Sequence, residues 1–506
     1  MTTLHLHNTL TGRLEPLKPV DPSGPIRFYT CGPTVYDFAH IGNFRAFLAA
    51  DVLRRVLELL GHDVRHVMNI TDVGHMTDDA SADGGGEDKM AVAARRLAEA
   101  SAAGDLDDGD VVDATEPHSI ADWYADAFLE DARCLGLKVA EDVRDDPTLM
   151  PRPTQYVEQM IDMVQTLMDK GHAYVGSDGV VYFDVQSFPD YGALSGNRID
   201  ALRSGEGGRV DMATQSIKRH PADFMVWKPD AQHLMRWPSP WGEGYPGWHL
   251  ECSVMAKALF GDIIDLHSGG EDNIFPHHEC EIAQTRGVTD CDHFARIWVH
   301  VRHLMVDGEK MSKSAGTFFT VRDLLDKGAT PAAIRLELIR THYRANANFT
   351  MQGLRDCGRM VDRLCRLRDA LERGDCDAFD GDGPLVKAVD GFEEAVADDL
   401  NLAGGIGVLN EAAGRHGPGS GGSAEQAAAE LAALLRMDSV LGVLDRNTVM
   451  GDADDDASID AMVDARNRAR HDKNWAEADR LRDELLDMGV EIMDGGGDTT
   501  WRRVVS

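Results

Sequence analysis

The sequence lacks a long apolar run. Nowhere in its 506 residues do about 18 consecutive apolar residues occur, which argues against a membrane-spanning helix. Residues 1–20 also lack a basic start followed by an apolar core, so no signal peptide is expected. We therefore expect a cytoplasmic protein without a membrane partner.

Cysteine and positive charge are both scarce. Eight scattered cysteines exclude a disulfide scaffold and leave free, catalytic or metal-bound thiols. Fifty-one Lys and Arg against 86 Asp and Glu give a net charge of −35, which taken alone argues against a nucleic-acid partner. The acidic residues are spread along the whole chain, a pattern that keeps a protein soluble in salt. We interpret the charge as a halophilic adaptation rather than as a statement about substrate.

The chain does have the length and apolar content of several domains. A strand at 26–30, a helix at 42–60 and a strand at 64–70 form a βαβ unit, with further strands at 263–266 and 297–301. This order predicts an α/β fold with a Rossmann-like parallel-sheet catalytic domain, followed by a helical bundle and a small mixed C-terminal module.

The predicted units are a catalytic domain at 1–340, a helical bundle at 341–450 and a C-terminal module at 457–506, preceded by an acidic link at 452–456. Two insertions interrupt the first unit. An acidic, Gly/Ala-rich segment at about 78–109 is expected to be exposed and mobile, and we assign it no role. A connective segment spans about 120–247, and its Trp- and Pro-rich end at 221–247 is predicted to form loops over a pocket.

Two short motifs are suited to ATP. His40-Ile41-Gly42-Asn43 lies at a strand-to-helix turn, where free backbone N–H groups and the positive end of the helix dipole favour phosphate. Lys310-Met311-Ser312-Lys313-Ser314 lies about 270 residues later and offers two lysines to a triphosphate. Alone, the first could be a hydrogen-bonded loop histidine and the second a solvated loop. Together they resemble the motif pair of class I aminoacyl-tRNA synthetases.

A third set contains metal-binding side chains. His277 and Glu281 are four residues apart on a predicted helix that starts near Pro276, so they share one face. Cys280 is expected to point away from them. Two thiolates, one imidazole and one carboxylate suit Zn²⁺, although two buried thiols and a capped helix explain the spacing equally well. The candidates are Cys31, Cys252, His277 and Glu281.

Six segments together resemble the cysteinyl-tRNA synthetase family: 29–43, 69–73, 248–253, 275–284, 300–316 and 466–502. The resemblance implies that one zinc ion is held by the four candidates above and that Gly32, Thr71 and Trp248 lie near the substrate. It also implies that His40, Gly42 and Lys313 act on ATP, with Lys310 beside them. Asn43 departs from the class motif, which ends in His, but its amide can still donate a hydrogen bond.

In the C-terminal module, arginines and tryptophans alternate in a way that suits stacking on unpaired bases. By resemblance, the residues that read the anticodon are Arg470, Trp475, Asp479 and Asp494. A helical cap with ordinary surface charges is the alternative for this segment.

The implied reaction is the activation of L-cysteine by ATP with Mg²⁺ to cysteinyl-adenylate, followed by transfer to the 3′ end of tRNA(Cys), by a monomeric enzyme without an editing domain. Three alternatives are weighed against it. A ligase that couples cysteine to an amino sugar in mycothiol synthesis would lack the C-terminal module. A non-catalytic tRNA-binding paralogue would have lost a motif residue, and a zinc hydrolase would not need the nucleotide motifs.

Overall fold

The computed structural model describes residues 2–74, 76–78, 85–103, 112–113, 116–197, 217–311, 317–416, 421–444, 453–471, 474–487, 490–495 and 498–503. The structural statements below concern these residues. None of their helices is both long and apolar enough to cross a bilayer.

The strands are β1 (His5–Asn8), β2 (Arg13–Pro16), β3 (Ile26–Thr30), β4 (Val64–Met68), β5 (Met76–Asp78), β6 (Gly85–Asp88), β7 (Ala173–Val175), β8 (Val181–Phe183), β9 (Phe224–Pro229), β10 (Gly244–Pro246), β11 (Ile264–Gly270), β12 (Ala295–Val301), β13 (Leu304–Val306), β14 (Glu309–Lys310), β15 (Ala347–Phe349), β16 (Val490–Gly495) and β17 (Asp498–Arg503).

The helices are α1 (Ile41–Leu59), α2 (Lys89–Ala103), α3 (Pro117–Cys134), α4 (Lys138–Asp142), α5 (Val157–Asp169), α6 (Trp248–Phe260), α7 (Glu279–Thr289), α8 (Val321–Asp326), α9 (Pro331–Ile339), α10 (Met351–Glu372), α11 (Pro384–Ala397), α12 (Leu402–Gly414), α13 (Ala424–Leu441), α14 (Ala453–His471) and α15 (Trp475–Asp487).

A parallel four-stranded sheet in the order β12-β11-β3-β4 is the centre of the catalytic region. Its strands are largely buried, as expected for a parallel sheet covered on both faces. Helix α1 joins β3 to β4 and buries a stripe that includes Phe44, Leu48 and Val52 against the core. The helix ends before Gly61, whose φ of +87° suits glycine. The predicted βαβ unit and the α/β fold class are confirmed.

Two predictions about the insertions are wrong in part: residues 230–243 do form loops, but regular elements occupy other parts of both segments. The segment 221–247 contains β9 and β10, which pair with each other and join β7 and β8 in an antiparallel sheet. Trp227 and Tyr245 are buried there, because large aromatic side chains pack well on a pleated surface. The segment 78–109 contains α2, which buries its own apolar stripe, so its described part is neither irregular nor fully exposed.

The helices after residue 350 pack on the same core as the central sheet. Helices α10 to α13 contribute buried side chains to the apolar cluster that also includes α1 and β3. A buried ion pair reinforces this junction: Arg335 Nη2 lies 2.6 Å from Asp51 Oδ2, and Arg335 also donates to the carbonyls of Leu441 and Leu135. The bundle is therefore packed firmly against the catalytic region.

The C-terminal module consists of α14, α15 and the hairpin β16-β17. Its apolar core among the described residues is formed by Ile459, Val463, Leu485 and Val490. Helix α14 begins at Ala453, so the predicted acidic link at 452–456 is wrong from residue 453 onward: the acidic residues form the first turns of a helix.

Candidate active site

The four candidate metal ligands converge at the carboxyl end of the central sheet. Cys31 follows β3, Cys252 lies in the second turn of α6, His277 precedes α7 and Glu281 lies within α7. The Sγ atoms of Cys31 and Cys252 are 3.7 Å apart, and Glu281 Oε1 lies 3.7 Å from Cys31 Sγ and 3.3 Å from His277 Nε2. All four side chains are buried, and their ligand atoms lie within 4.8 Å of one another.

This arrangement fits a tetrahedral zinc ion. With zinc bonds of about 2.3 Å to sulfur and about 2.0 Å to nitrogen or oxygen, two sulfur ligands lie about 3.8 Å apart and a nitrogen–oxygen pair about 3.3 Å apart. The distances between Cys31 and Cys252 and between His277 and Glu281 match these values. Burial raises the pKa of the Cys31 thiol well above its usual value, so a thiolate at this place needs a cation beside it.

Three further histidines surround the cluster. His249 Nδ1 is 2.9 Å from His277 Nδ1, His267 Nε2 is 2.9 Å from Glu281 Oε2, and His278 Nε2 is 3.2 Å from Cys31 Sγ. Such outer contacts orient metal ligands and tune their basicity. His267 and His278 also form a second possible four-ligand set with Cys31 and Glu281. The set that contains Cys252 offers two thiolates, whereas the second set offers one. The set with Cys252 is therefore the better zinc site.

Helix α7 differs from its predicted form. It begins at Glu279, and an irregular turn over Ile274–His278, with a cis bond between Phe275 and Pro276, precedes it. Pro276 therefore does not lie in the first turn of the α-helix, yet His277 and Glu281 still face each other. The Sγ atom of Cys280 points to Tyr191 Oη at 3.5 Å, outside the cluster, as predicted.

A cavity of about 530 Å³ extends from this cluster to the start of α1. Cys31, Gly32 and Trp248 line one end, and the other is lined by Lys310 and by three residues of the sequence His40-Ile41-Gly42-Asn43 (the HIGN motif), namely His40, Gly42 and Asn43. The cavity thus joins the cluster of candidate metal ligands to the HIGN motif and Lys310.

Of the three predicted substrate contacts, Gly32 and Trp248 line the cavity, whereas Thr71 does not. A Cβ atom on Gly32 would come 1.7 Å from the carbonyl oxygen of Asn69, so this close approach requires glycine. Thr71 is buried, and its hydroxyl donates to Glu251 at 3.2 Å. The Trp248 ring lies 4.6 Å, centroid to centroid, from the ring of His277.

The HIGN motif is arranged differently from the prediction. His40 is the N-cap of α1, and its Nδ1 accepts from the backbone N–H groups of Gly42 and Asn43. Asn43 in turn accepts from the His40 N–H at 3.1 Å. The two side chains therefore cap the helix, and they occupy amides that we expected to face phosphate, although both residues line the cavity.

The second motif is only partly described. Lys310 ends β14 and is exposed at the cavity rim, and the side chain of Met311 lies against Gly42. Lys313 lies outside the described residues.

Comparisons with known proteins show the family to which the chain belongs. The family model of the class I (C) tRNA synthetase catalytic domain matches residues 17–358, and that of the cysteinyl-tRNA ligase anticodon-binding domain matches residues 452–502. The curated cysteine–tRNA ligase of Salinibacter ruber is 42% identical, over 99% of this chain and 98% of that protein. The chain belongs to the cysteinyl-tRNA synthetase family. The resemblance drawn from the sequence is confirmed.

A second curated relative and two solved structures are also similar to this cysteinyl-tRNA synthetase family member. The cysteine–tRNA ligase of Symbiobacterium thermophilum is 40% identical, over 99% of each chain. Among solved structures, the methionyl-tRNA synthetase of Mycobacterium tuberculosis in complex with methionyl-adenylate has a TM-score of 0.52 at 12% identity, covering 84% of this chain and 92% of that one. The LeuRS of Agrobacterium radiobacter K84 has a TM-score of 0.55 at 12% identity, covering 84% and 85%. These two show the shared fold.

Three of the four predicted anticodon residues, Arg470, Trp475 and Asp479, are exposed on the C-terminal module. Arg470 is exposed in the last turn of α14, and Trp475, the first residue of α15, is 60% exposed. Asp479 is exposed one turn after Trp475, and Asp494 lies in β16.

Sequence reasoning missed two groups of residues in this synthetase family member. The first is the layer of histidines around the metal ligands, His249, His267 and His278. The second is a further set of residues that line the cavity: Glu271, Asp272, Asn273, Arg302 and His303. All of them except His267 lie within or beside the segments that carried the resemblance, and that proximity was the available signal.

Proposed function

We propose that this chain is a cysteine–tRNA ligase that activates L-cysteine with ATP and transfers it to the 3′ end of tRNA(Cys). The observation that carries the proposal is the convergence of Cys31, Cys252, His277 and Glu281 at one end of a cavity whose other end holds the HIGN motif and Lys310. A soft metal centre beside a nucleotide cavity is suited to selecting a thiol-bearing substrate for adenylation.

The chain's residues bind and orient the reactants. Cys31, Cys252, His277 and Glu281 would hold Zn²⁺, which supplies a soft ligand position for the substrate thiolate. Gly32, Thr71 and Trp248 border the amino acid. His40, Lys310 and Lys313 hold the ATP phosphates, Gly42 borders the nucleotide, and Asn43 fixes His40 through the helix cap. The cysteine carboxylate attacks the α-phosphate and pyrophosphate leaves, so the chain acts by positioning and by stabilising charge rather than through a nucleophile of its own.

Shape alone would separate cysteine from serine poorly. A pocket that measures size distinguishes substrates that differ by a methylene by about 1–3 kcal/mol, and these two amino acids are closer in shape than that. A thiolate is a far better zinc ligand than a hydroxyl. Metal ligation therefore makes an editing step unnecessary.

The second step requires the tRNA. The terminal adenosine hydroxyl of tRNA(Cys) attacks the adenylate, while Arg470, Trp475, Asp479 and Asp494 read the anticodon at a distance from the reaction. We place the catalytic domain at 1–340, the helical bundle at 341–450 and the anticodon module at 457–506. We further propose that the enzyme is a cytoplasmic monomer and that Mg²⁺ accompanies ATP.

The test is ATP–pyrophosphate exchange with cysteine or serine as the amino acid, followed by charging of tRNA(Cys). We expect exchange with cysteine and none above background with serine, and charging by the full chain. Charging is the arm that separates this function from coupling of cysteine to an amino sugar. A folded, zinc-loaded protein that supports no exchange with cysteine would contradict the proposal.

A further inference from the structure

Helix α2, in the segment to which the sequence assigned no role, contacts two residues that line the cavity. Its first residue, Lys89, places Nζ 4.9 Å from the ring centroid of Tyr36 and 5.9 Å from that of Trp248. Tyr36 and Trp248 both line the cavity, and the Trp248 ring also lies against His277. Lys89 therefore joins two aromatic walls that belong to distant parts of the chain.

We propose that Lys89 is a positioning residue for cysteine, which holds the Trp248 and Tyr36 rings in place through cation–π contacts. The inference rests on the proposed function and adds to it a residue from outside the motifs that define the family resemblance. Lys89 acts through the rings rather than by touching the reacting atoms, and the Trp248 ring in turn lies against His277.

Several contacts fix the start of α2 at this place. Asp88 accepts from the Met90 N–H at 2.7 Å, and its carboxylate lies 3.5 Å from His233 Nε2. The Met90 side chain is buried over Gly74, where a Cβ would meet it at 2.8 Å. Lys89 is thus held between two anchored neighbours, and this limits the positions that its ammonium group can reach.

A second ion pair attaches α2 to the loop that carries Tyr36. Arg96 Nη1 lies 2.7 Å from Asp37 Oδ2, two helical turns after Lys89. Tyr36 and Asp37 are adjacent, so α2 contacts the same loop through a ring and through a carboxylate. The helix therefore contacts this loop at two points, two helical turns apart on α2.

The expected effect lies in cysteine binding rather than in ATP binding. Loss of a cation–π contact changes an equilibrium constant by about 3-fold where the contact is exposed to water and by about 30-fold where it is desolvated. Removing the charge frees the Trp248 ring beside the metal cluster, whereas the nucleotide end of the cavity, about His40 and Lys310, is left unchanged. The KM for cysteine should rise within that range, with the KM for ATP changed less than about twofold.

The experiment compares Lys89→Met, Lys89→Arg and Lys257→Met in cysteine-dependent ATP–pyrophosphate exchange, with zinc content and melting temperature measured for each. Lys89→Met keeps the aliphatic stem, and Lys89→Arg keeps the cation and should restore most of the wild-type KM. Lys257 is the matched control: it lies on the same helix as Trp248 but pairs with Asp262 at the surface.

The possible outcomes distinguish a failure of the inference about Lys89 from a failure of the proposed function. A raised KM for cysteine in Lys89→Met, rescue by Lys89→Arg and no change in Lys257→Met support the inference. An unchanged KM in Lys89→Met overturns it and leaves the proposed function standing, as does an equal rise in the KM values for cysteine and ATP. A wild-type protein without cysteine-dependent exchange overturns both.

Discussion

The metal cluster and the C-terminal module place their recognition residues in opposite environments. Cys31, Cys252, His277 and Glu281 are buried, and histidines from neighbouring elements hold three of them through hydrogen bonds. Trp475, by contrast, is 60% exposed at the start of its helix. Under the proposed function, the amino acid would be selected by a preorganised interior, whereas the RNA would be read by side chains exposed on the surface.

The packing around the two regions follows the same division. The cluster lies within an apolar core built from α5, α6, α7 and the antiparallel sheet. The described core of the module contains four buried apolar residues. Changes at the cluster should therefore act on metal and amino acid together, and changes at the module should act on tRNA alone.

The largest expected effect is that of Cys252→Ser. Replacing a thiolate ligand by a hydroxyl should remove the zinc and lower cysteine-dependent exchange by more than about 100-fold, because outer contacts alone are worth 10- to 100-fold. Bound zinc and exchange rate are measured together, and tRNA binding should not change.

Cys280→Ser is the matched control for that experiment. Cys280 is equally buried and adjacent in sequence to Glu281, but its thiol faces Tyr191. It should keep both zinc and exchange. Full zinc occupancy in Cys252→Ser would remove Cys252 from the ligand set and favour the alternative set that contains His267 and His278.

A smaller effect is expected from His249→Asn. The ring of His249 meets the second nitrogen of His277, so its loss should weaken zinc affinity by about 10- to 100-fold while leaving the four ligands in place. Competition with a chelator measures the affinity directly. His118→Asn, at an exposed position, should have none of this effect. Equal affinities in the two variants would mean that the cluster does not depend on its outer layer.

Trp475→Ala tests the other side of the comparison. Loss of one stacking platform should raise the KM for tRNA(Cys) by about tenfold, near the lower end of measured base-stacking energies. Cysteine-dependent exchange, which needs no tRNA, should stay at the wild-type rate. Arg480→Ala on the same helix is the control, since Arg480 pairs with Glu477 and Glu484 within the module. A loss of exchange in Trp475→Ala would contradict the expectation that the C-terminal module acts on tRNA alone.

Regular, strongly patterned elements could be predicted from the sequence. The strand at 26–30 has the predicted bounds, and the helix predicted at 42–60 is observed at Ile41–Leu59, because an apolar run between turn residues and a helical apolar stripe are local signals. The four metal candidates also come together in space, as the resemblance implied.

Tertiary contacts and local caps could not be predicted in this way. The acidic composition of 78–109 concealed the stripe of Met90, Ala93 and Leu97 that buries α2. Whether His40 faces a phosphate or caps its own helix depends on a choice between hydrogen-bond partners that spacing does not decide. His249 meets His277 only because α6 packs beside α7, and nothing local to either residue signals that pairing.

The smallest expected effect is that of salt on the KM for tRNA. Its direction shows whether the acidic surface or the local contacts dominate tRNA binding. The net charge of −35 repels tRNA but not cysteine. Raising KCl from about 0.1 M to about 1 M shortens the Debye length from about 10 Å to about 3 Å, so the KM for tRNA should fall about two- to fivefold while the KM for cysteine changes less. Local contacts of cationic side chains with phosphate act in the opposite direction, because the counterions that they release from the RNA gain less entropy at higher salt. A KM for tRNA that rises with KCl would therefore mean that these contacts outweigh the acidic surface, and the halophilic interpretation would fall while the enzyme assignment stood.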